Sequence, residues 1–264
     1  MKFKVTLSKK HKFALLSIAI CGLFYYSLVT STPVIGWLVL LSIVGTYFVQ
    51  SSSFKLRPFN FLSINILTLH LIFGAYLSFL FFPNLGYNFK LMAILAIGVL
   101  YYICCLINNV FLVVDEREEL IPLYRVATTW SRISIVVIAI AYFAGVFKLP
   151  VNTFAQCTIV AVSTALLVLY ILWSIRFDKD SKKMKRGEMA FIATLASFIL
   201  YAVNVSVSFF PTESFLRALF VSTALMFSIN LVYGHCKNDI KKRMLTEHFF
   251  ISFTFFVLLI IFRP

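Results

Sequence analysis

The sequence predicts an all-α protein, a polytopic transmembrane helical bundle of about nine spans with its N-terminus inside the cell and its C-terminus outside. Hydrophobic residues make up 61% of the 264 positions and charged residues only 13%, whereas soluble domains have ~45–50% apolar and ~25% charged residues. Several apolar stretches are long enough to cross a bilayer as helices. The basic residues also cluster in alternate connections between these stretches.

The predicted spans are apolar stretches that end at Pro, Gly, Asn or charged residues. At 1.5 Å per residue, the two shortest reach ~25 Å, a little less than the ~30 Å hydrocarbon core, and slight bilayer thinning accommodates them. All nine form one transmembrane domain over 1–264, and they cover residues 13–30, 33–49, 59–82, 89–114, 130–147, 151–175, 189–210, 215–235 and 246–262.

The distribution of Lys and Arg predicts the orientation. Of the 24 basic residues, all but four precede the first span or lie in 50–58, 115–132, 176–188 and 236–245, that is, in or at the edge of the connections after the second, fourth, sixth and eighth spans; the exceptions are Lys90, Lys148, Arg217 and Arg263. The positive-inside rule places the basic connections in the cytoplasm. The same rule accounts for the net charge of +14, so no nucleic-acid partner is predicted.

The first span has a second interpretation. A basic stretch before an apolar run is also typical of a secretory signal peptide. No Ala-x-Ala-like cleavage site follows Tyr26, and the chain continues directly into the second span. We therefore expect the first span to be retained.

Signatures of catalysis and cofactor binding are absent from the sequence. The five cysteines form no Cys-x-x-Cys pair, and the chain has no Gly-rich phosphate loop, no nucleophile motif and no His/Cys metal spacing. The sequence therefore predicts no cofactor.

Polar side chains inside the spans are candidate functional residues because hydrocarbon penalises them. They are Asn108 and Asn109 in the fourth span, Asn204 in the seventh, Asn230 in the eighth and His70 in the third. Hydrogen bonding between helices is the usual role of such residues. No charged residue occupies the centre of a span, which argues against an ion-driven transporter.

The connection after the fourth span predicts an interfacial helix over 122–132. Pro122 suits the first position of a helix, and apolar residues then recur with helical spacing at Leu123, Val126, Ala127 and Trp130. The opposite face carries Tyr124, Arg125, Thr128, Thr129 and Arg132. This amphipathic pattern predicts a separate helix that lies along the membrane surface and leads into the fifth span.

An acidic cluster precedes that segment and allows a metal-site hypothesis. If the fourth span continued as a helix, Asp115, Glu118 and Glu119 would share one face and could bind Mg²⁺. Asp178 and Asp180 in the connection after the sixth span would supply a second group. Membrane-embedded prenyltransferases keep two acidic motifs on cytoplasmic connections in this way.

The prenyltransferase pattern fits this sequence poorly. Two of its three acids would fall on Asn109 and Leu112, and only two spans separate the acidic groups where that family has four. We therefore expect the two groups to lie apart. We expect Asp115, Glu116 and Glu119 to pair with basic residues of the cytoplasmic rim, and Asp178 and Asp180 to be exposed to water.

Four elements of the sequence resemble a known group of proteins: Asn108-Asn-Val-Phe111, Leu120-Ile-Pro-Leu-Tyr-Arg-Val-Ala127, Gly187-Glu188 and Phe209-Phe-Pro211. In these elements, from about Phe79 to His248, the chain is similar to multi-pass membrane proteins of unknown function from candidate-phylum, ultra-small bacteria. Members of that group commonly have small or uncharged residues where this chain has its acidic cluster. The resemblance implies a bacterial inner membrane and about nine helices, and it implies no activity.

The function predicted from the sequence is non-enzymatic: an accessory or scaffold subunit, or a permease for a small or lipid-like solute. The predicted partners are membrane lipids, with other membrane subunits or a second copy of the chain as further candidates. The alternative is a prenyltransferase-like, lipid-modifying enzyme with an acidic site at the cytoplasmic rim. The candidate residues are Asn108, Asn109, Asp115, Glu116, Glu119, Arg125, Asn204 and Asn230, with Asp115, Glu119, Asp178 and Asp180 as the alternative metal ligands.

Overall fold

The computed structural model describes residues 8–82, 84–119, 121–178, 180–240 and 242–262. Within these ranges the chain forms α-helices and no strand, so the predicted all-α class is confirmed. The helices are α1 (Lys9–Thr30), α2 (Ile35–Ser51), α3 (Pro58–Phe81), α4 (Tyr87–Arg117), α5 (Pro122–Val146), α6 (Thr153–Ile175), α7 (Arg186–Ser208), α8 (Ser214–Lys237) and α9 (Lys242–Ile261).

Contacts between connections define one end of the bundle, which we call the basic end. The Lys9 ammonium lies 3.7 Å from the centroid of the Phe54 ring, so the start of α1 meets the connection between α2 and α3. The Lys182 backbone N–H donates to the Cys236 carbonyl at 2.8 Å, which brings the α6–α7 connection to the end of α8. These segments are the basic segments that the sequence assigns to a single side.

The other connections meet at the opposite end. The Tyr87 and Tyr25 hydroxyls lie 3.4 Å apart, so the N-terminus of α4 contacts the C-terminal half of α1. The Lys148 ammonium lies 5.7 Å from the Phe82 ring centroid, so the ends of α3 and α5 meet there too. Consecutive helices therefore run in alternating directions between the two ends.

Eight of these helices are long and apolar enough to cross a membrane, and α2 is shorter at 17 residues. The chain enters α2 beside the opposite end, where Thr32 and Pro33 share a pocket with Lys90. It leaves α2 at the basic end, where Phe54 contacts Lys9. Because its two ends lie at opposite ends of the bundle, α2 also traverses it.

The prediction of a separate interfacial helix over 122–132 is wrong. One continuous helix, α5, runs from Pro122 to Val146, and at 1.5 Å per residue it is about 37 Å long. The buried side of this segment is neither predicted face: Tyr124, Ala127 and Thr128 are buried, whereas Leu123, Arg125, Thr129 and Trp130 are exposed. A membrane permits Tyr124 and Thr128 to pack inward, because apolar side chains can contact lipid and inward polar groups can be hydrogen-bonded.

The centre of the bundle is formed by α3, α5 and α6, and close backbone approach joins the first two. A Cβ atom added at Gly74 of α3 would lie 3.0 Å from the Tyr142 nitrogen of α5. One added at Gly145 of α5 would clash with the Leu77 Cβ of α3. Small residues let membrane helices pack at such short range, so these glycines fix α5 against the core.

Candidate functional site

A closed polar cluster lies at the basic end of the core and consists of Asn60, Asp115, Trp173 and Arg176. The Asn60 amide donates to the Asp115 carboxylate at 2.6 Å. The Asn60 carbonyl oxygen accepts from the Trp173 indole N–H at 3.1 Å and from the Arg176 guanidinium at 2.8 Å. Arg176 also forms a 3.3 Å salt bridge with Asp115. The cluster therefore ties α3, α4 and the end of α6 together.

The charges of the closed polar cluster neutralise each other. Burial lowers the pKa of the Arg176 guanidinium, the Asp115 carboxylate raises it, and the nearby Arg57 and Arg186 lower it again. A guanidinium stays protonated in proteins, so the pair with Asp115 persists as an ion pair. Because one guanidinium nitrogen of Arg176 donates to both Asn60 and Asp115, this cluster holds helices together.

The interior next to the closed polar cluster is packed with aromatic rings. Asn108 donates to the Ile64 carbonyl at 2.7 Å and accepts from the Tyr170 hydroxyl at 2.9 Å. The Phe111 ring contacts the rings of Tyr170 and Trp173. Asn108 thus joins three helices, which is the role expected of a polar residue within a span.

A second polar region, the open cleft, lies at the same end between the first turns of α5, the α6–α7 connection and the end of α8. Its volume is about 600 Å³, within the ~300–1,000 Å³ range of small-molecule sites. The described residues that line it are Ile121, Pro122, Tyr124, Arg125, Thr128, Thr129, Arg132, Asp178, Asp180, Tyr233 and Lys237.

The two arginines of the open cleft differ from Arg176 in having no acidic partner. Arg125 is exposed, and neither Arg125 nor Arg132 forms a salt bridge within the part of the chain that the structure describes. The Arg132 guanidinium stacks on Tyr233 at 4.4 Å from the ring centroid. Its Nε is buried and has no hydrogen-bond partner among the described residues. Both positive charges are therefore available to an anion.

A separate apolar groove lies beside the open cleft along α5 and α8. Its volume is about 440 Å³, and it shares Thr129 and Arg132 with the cleft. The rest of its lining is Ile133, Val136, Val137, Met226, Ile229 and Asn230. A charged cleft at the bundle end and an apolar groove between two membrane-spanning helices thus have Thr129 and Arg132 as a shared wall.

The acidic residues do not form the hypothetical metal site. Helix α4 ends at Arg117, and Glu118 has a left-handed backbone with φ 52°, so Asp115, Glu118 and Glu119 do not share a helical face. Asp115 lies in the closed polar cluster, whereas Asp178 and Asp180 line the open cleft. No group of three or more metal-binding side chains occurs among the described residues.

The predicted pairings of the acids were right for only part of the set. Asp115 pairs with Arg176 as predicted, and Asp180 is exposed as predicted. Glu116 and Glu119 are exposed and have no salt bridge in the described ranges, because they lie where α4 leaves the bundle. Asp178 is not exposed to water as predicted: it forms a 2.7 Å salt bridge with Lys237, and only 10% of its side chain is exposed.

The remaining candidate residues lie apart from both polar regions. Asn204 is fully buried and accepts from the Arg217 guanidinium at 2.8 Å near the opposite end. The Asn230 amide lies 2.8 Å from His248 Nε2 and joins α8 to α9. Asn109 is partly buried, and its Oδ1 has no partner among the described residues. His70 bonds to the Ile66 carbonyl of its own helix at 2.7 Å.

Sequence reasoning missed Asn60, Tyr233 and Lys237 as members of these two polar regions. Asn60 carries a usable signal, since an amide beside the start of an apolar helix needs a partner. Lys237 and Tyr233 carry no such signal, because basic residues and Tyr are ordinary at the end of a membrane helix.

Comparisons with protein-family models, curated proteins and solved structures gave no match.

Proposed function

We propose that this chain is a non-enzymatic multi-pass membrane protein that binds a phosphate-bearing membrane lipid in the open cleft and its apolar groove. The observation that supports this function is that the two spaces are adjacent and share lining residues. Arg132 and Thr129 line both the charged cleft and the apolar groove. An amphiphile with a charged head and an apolar tail matches both parts at once.

The head of such a lipid would meet the arginines. A guanidinium presents several N–H donors in a planar fork that suits phosphate oxygens. Arg125 and Arg132 have no carboxylate partner in the described chain. A phosphate group in the open cleft would lie beside both guanidinium groups.

The tail would lie in the groove between α5 and α8. Its lining includes Val136, Val137, Met226 and Ile229, and Val137 is 45% exposed on the surface of the bundle. Because the groove opens sideways, a lipid could move into it from the surrounding leaflet without crossing the packed core. Membrane lipids are thus the partner best supported by the structure.

The membrane and the wider role belong to the same proposal. We place the protein in a bacterial inner membrane on the strength of the sequence resemblance, with the basic end in the cytoplasm because of the positive-inside rule. A permease for a lipid-like solute and an accessory subunit that carries a bound lipid both begin with this binding step. The one-sided position of the open cleft supports loading from the cytoplasmic leaflet.

The prenyltransferase-like alternative has weaker support. It requires two acidic groups around one metal and diphosphate, at ~2.0–2.6 Å from each ligand oxygen. Asp115 is bonded to Asn60 and Arg176, while Asp178 is bonded to Lys237 beside the open cleft. The two carboxylates are therefore engaged with different cations.

Native mass spectrometry of the purified full-length protein in detergent, titrated with phosphatidylglycerol, tests the proposal. We expect one tightly bound lipid, and Arg132→Gln should weaken its binding about tenfold, since a hydrogen bond to a charged group contributes ~1.5–3 kcal/mol. Val137→Trp, which fills the groove, should weaken it to a similar extent.

Two matched variants control for charge and bulk. Lys55→Gln removes a cation at the basic end outside the cleft, and Val99→Trp adds an indole at an exposed position of α4. Both should bind the lipid like the parent protein. Equal weakening by Lys55→Gln and Arg132→Gln would show nonspecific attraction of lipid to the basic end and would contradict the proposed site.

A further inference from the structure

The open cleft carries charges of both signs, which bears on the kind of head group it holds. Arg125 and Arg132 approach it from α5, whereas Asp178 and Asp180 approach it from the α6–α7 connection. A site for a simple anion would gain nothing from two carboxylates, because like charges repel the ligand. The arrangement suits a ligand that itself carries both charges.

One of the two carboxylates is free. Asp178 is occupied, since it pairs with Lys237 at 2.7 Å and its Oδ1 accepts the Asp180 backbone N–H at 3.1 Å. The Asp180 side chain is exposed and forms no salt bridge within the described ranges. Among the described residues that line the cleft, the charges left without a salt-bridge partner are therefore two guanidiniums on one wall and one carboxylate on another.

We infer that the ligand head group is zwitterionic, with a phosphate that binds Arg125 and Arg132 and a primary ammonium that binds Asp180. This inference rests on the proposed lipid-binding function. An ethanolamine-type phospholipid has this chemistry: its phosphodiester is an acceptor and its ammonium carries three N–H donors. A phosphatidylglycerol head would leave Asp180 without a partner.

The aromatic residues of the open cleft argue for a primary over a quaternary ammonium. A quaternary ammonium has no N–H to donate, and proteins recognise it through the faces of aromatic rings. The Tyr233 ring already contacts the protein's own cations, Arg132 at 4.4 Å and Lys237 at 5.1 Å. The Tyr124 ring packs against Phe111, and its hydroxyl donates to the Ser174 carbonyl. The described lining thus offers a carboxylate and no free aromatic cage.

The test compares lipids that differ only in the head group. Full-length protein is titrated in detergent with phosphatidylethanolamine, phosphatidylglycerol and phosphatidylcholine of identical acyl chains, and bound lipid is counted by native mass spectrometry. We expect phosphatidylethanolamine to bind about fivefold more tightly than the other two, the size typical of one exposed ion pair.

Asp180→Asn is the informative variant. It should abolish the preference for phosphatidylethanolamine and strengthen the binding of phosphatidylglycerol, because a repulsive charge is removed. Glu116→Gln is the matched control, since Glu116 is also an exposed acid at the basic end and does not line the cleft. It should keep the parental preference.

Different outcomes separate the two proposals. Equal binding of phosphatidylethanolamine and phosphatidylglycerol by the parent protein, with binding still weakened in Arg132→Gln, would overturn the zwitterionic head group and leave the lipid site standing. If the parent protein bound none of the lipids more tightly than Val137→Trp does, both proposals would be overturned. Soluble glycerophosphoethanolamine should not displace the lipid, because it lacks the tails that occupy the groove; displacement at equal concentration would overturn the lipid as the source of this head group.

Discussion

The closed polar cluster and the open cleft contain the same kinds of residue at the same end of the bundle, yet their charges are handled differently. In the closed polar cluster, Arg176 donates to Asn60 and pairs with Asp115. In the open cleft, Arg125 and Arg132 have no acidic partner in the described chain, and Asp180 has no basic one. A count of arginines and aspartates would not distinguish the two regions.

The difference shows which of these charges are structural and which are free to bind a ligand. A partly buried charge is tolerated when it is paired and hydrogen-bonded, and Arg176 and Asp115, whose side chains are 33% and 27% exposed, meet this condition. Charges that face a water-accessible cleft need no internal partner, because solvent stabilises them until a ligand replaces it. Loss of a residue from the closed polar cluster should therefore reduce stability, and loss of one from the open cleft should reduce binding.

The largest expected effect on stability follows from Asn60→Leu. This change removes three hydrogen bonds and leaves the indole N–H of the fully buried Trp173 without an acceptor. An unsatisfied buried donor costs ~1–3 kcal/mol and each lost bond ~0.5–1.5 kcal/mol, so we expect a loss of about 3 kcal/mol. Unfolding in detergent, followed with a thiol-reactive dye that reports the buried cysteines, measures it.

Asn109→Leu is the matched control for that measurement. It makes the same chemical change at a partly buried asparagine whose Oδ1 has no partner among the described residues. Because it removes a buried acceptor that has no partner, its stability should equal that of the parent protein or exceed it by up to ~1–3 kcal/mol. Equal destabilisation by the two variants would mean that the closed polar cluster contributes nothing particular to stability.

Asp178→Asn should have an intermediate effect, because this residue belongs to the open cleft but is paired. It breaks the salt bridge with Lys237, whose two side chains are 28% and 10% exposed, and we expect a loss of about 1 kcal/mol. Glu247→Gln breaks an ion pair of the same 2.7 Å length whose side chains are 88% and 56% exposed. The free energy of unfolding of this control should fall by less than about 0.3 kcal/mol. A larger fall in Glu247→Gln than in Asp178→Asn would show that burial does not make the Asp178–Lys237 pair the more stabilising one.

The smallest expected effect on stability belongs to Arg125→Gln. Because this side chain is exposed and has no acidic partner in the described ranges, its removal should change stability by less than about 0.5 kcal/mol. Lipid binding should weaken about threefold, since one cation near the headgroups contributes ~1 kcal/mol at most. Arg117→Gln, at the exposed end of α4, should change neither quantity. Clear destabilisation by Arg125→Gln would place Arg125 among the structural residues.

Much of the fold could be predicted because it depends on properties of consecutive residues. The length of each apolar stretch sets the helices, and their described bounds agree with the predicted spans within a few residues everywhere except at the start of α5. The alternation of basic connections correctly grouped the segments that meet at the basic end.

The candidate sites were harder to predict because their members are far apart in sequence. Asp115 meets Asn60 across 55 positions and Arg176 across 61. The pattern at the start of α5 was read with the correct period, but the buried side was wrongly assigned, since Tyr124, Ala127 and Thr128 face the core while Leu123 and Arg125 face outward. Periodicity identifies the two faces of a membrane helix, and only its neighbours decide which face is buried.

The sequence by itself determined the membrane-spanning helices and their alternation, because the free energy of burying apolar segments in hydrocarbon is a local sum over residues. The tertiary structure alone decided which charges are satisfied. Asp115 forms a salt bridge with Arg176, Asp178 forms one with Lys237, and Arg132 lines the open cleft. That outcome depends on which helices pack side by side, and packing is set by shape and by long-range hydrogen bonds that no stretch of neighbouring residues encodes.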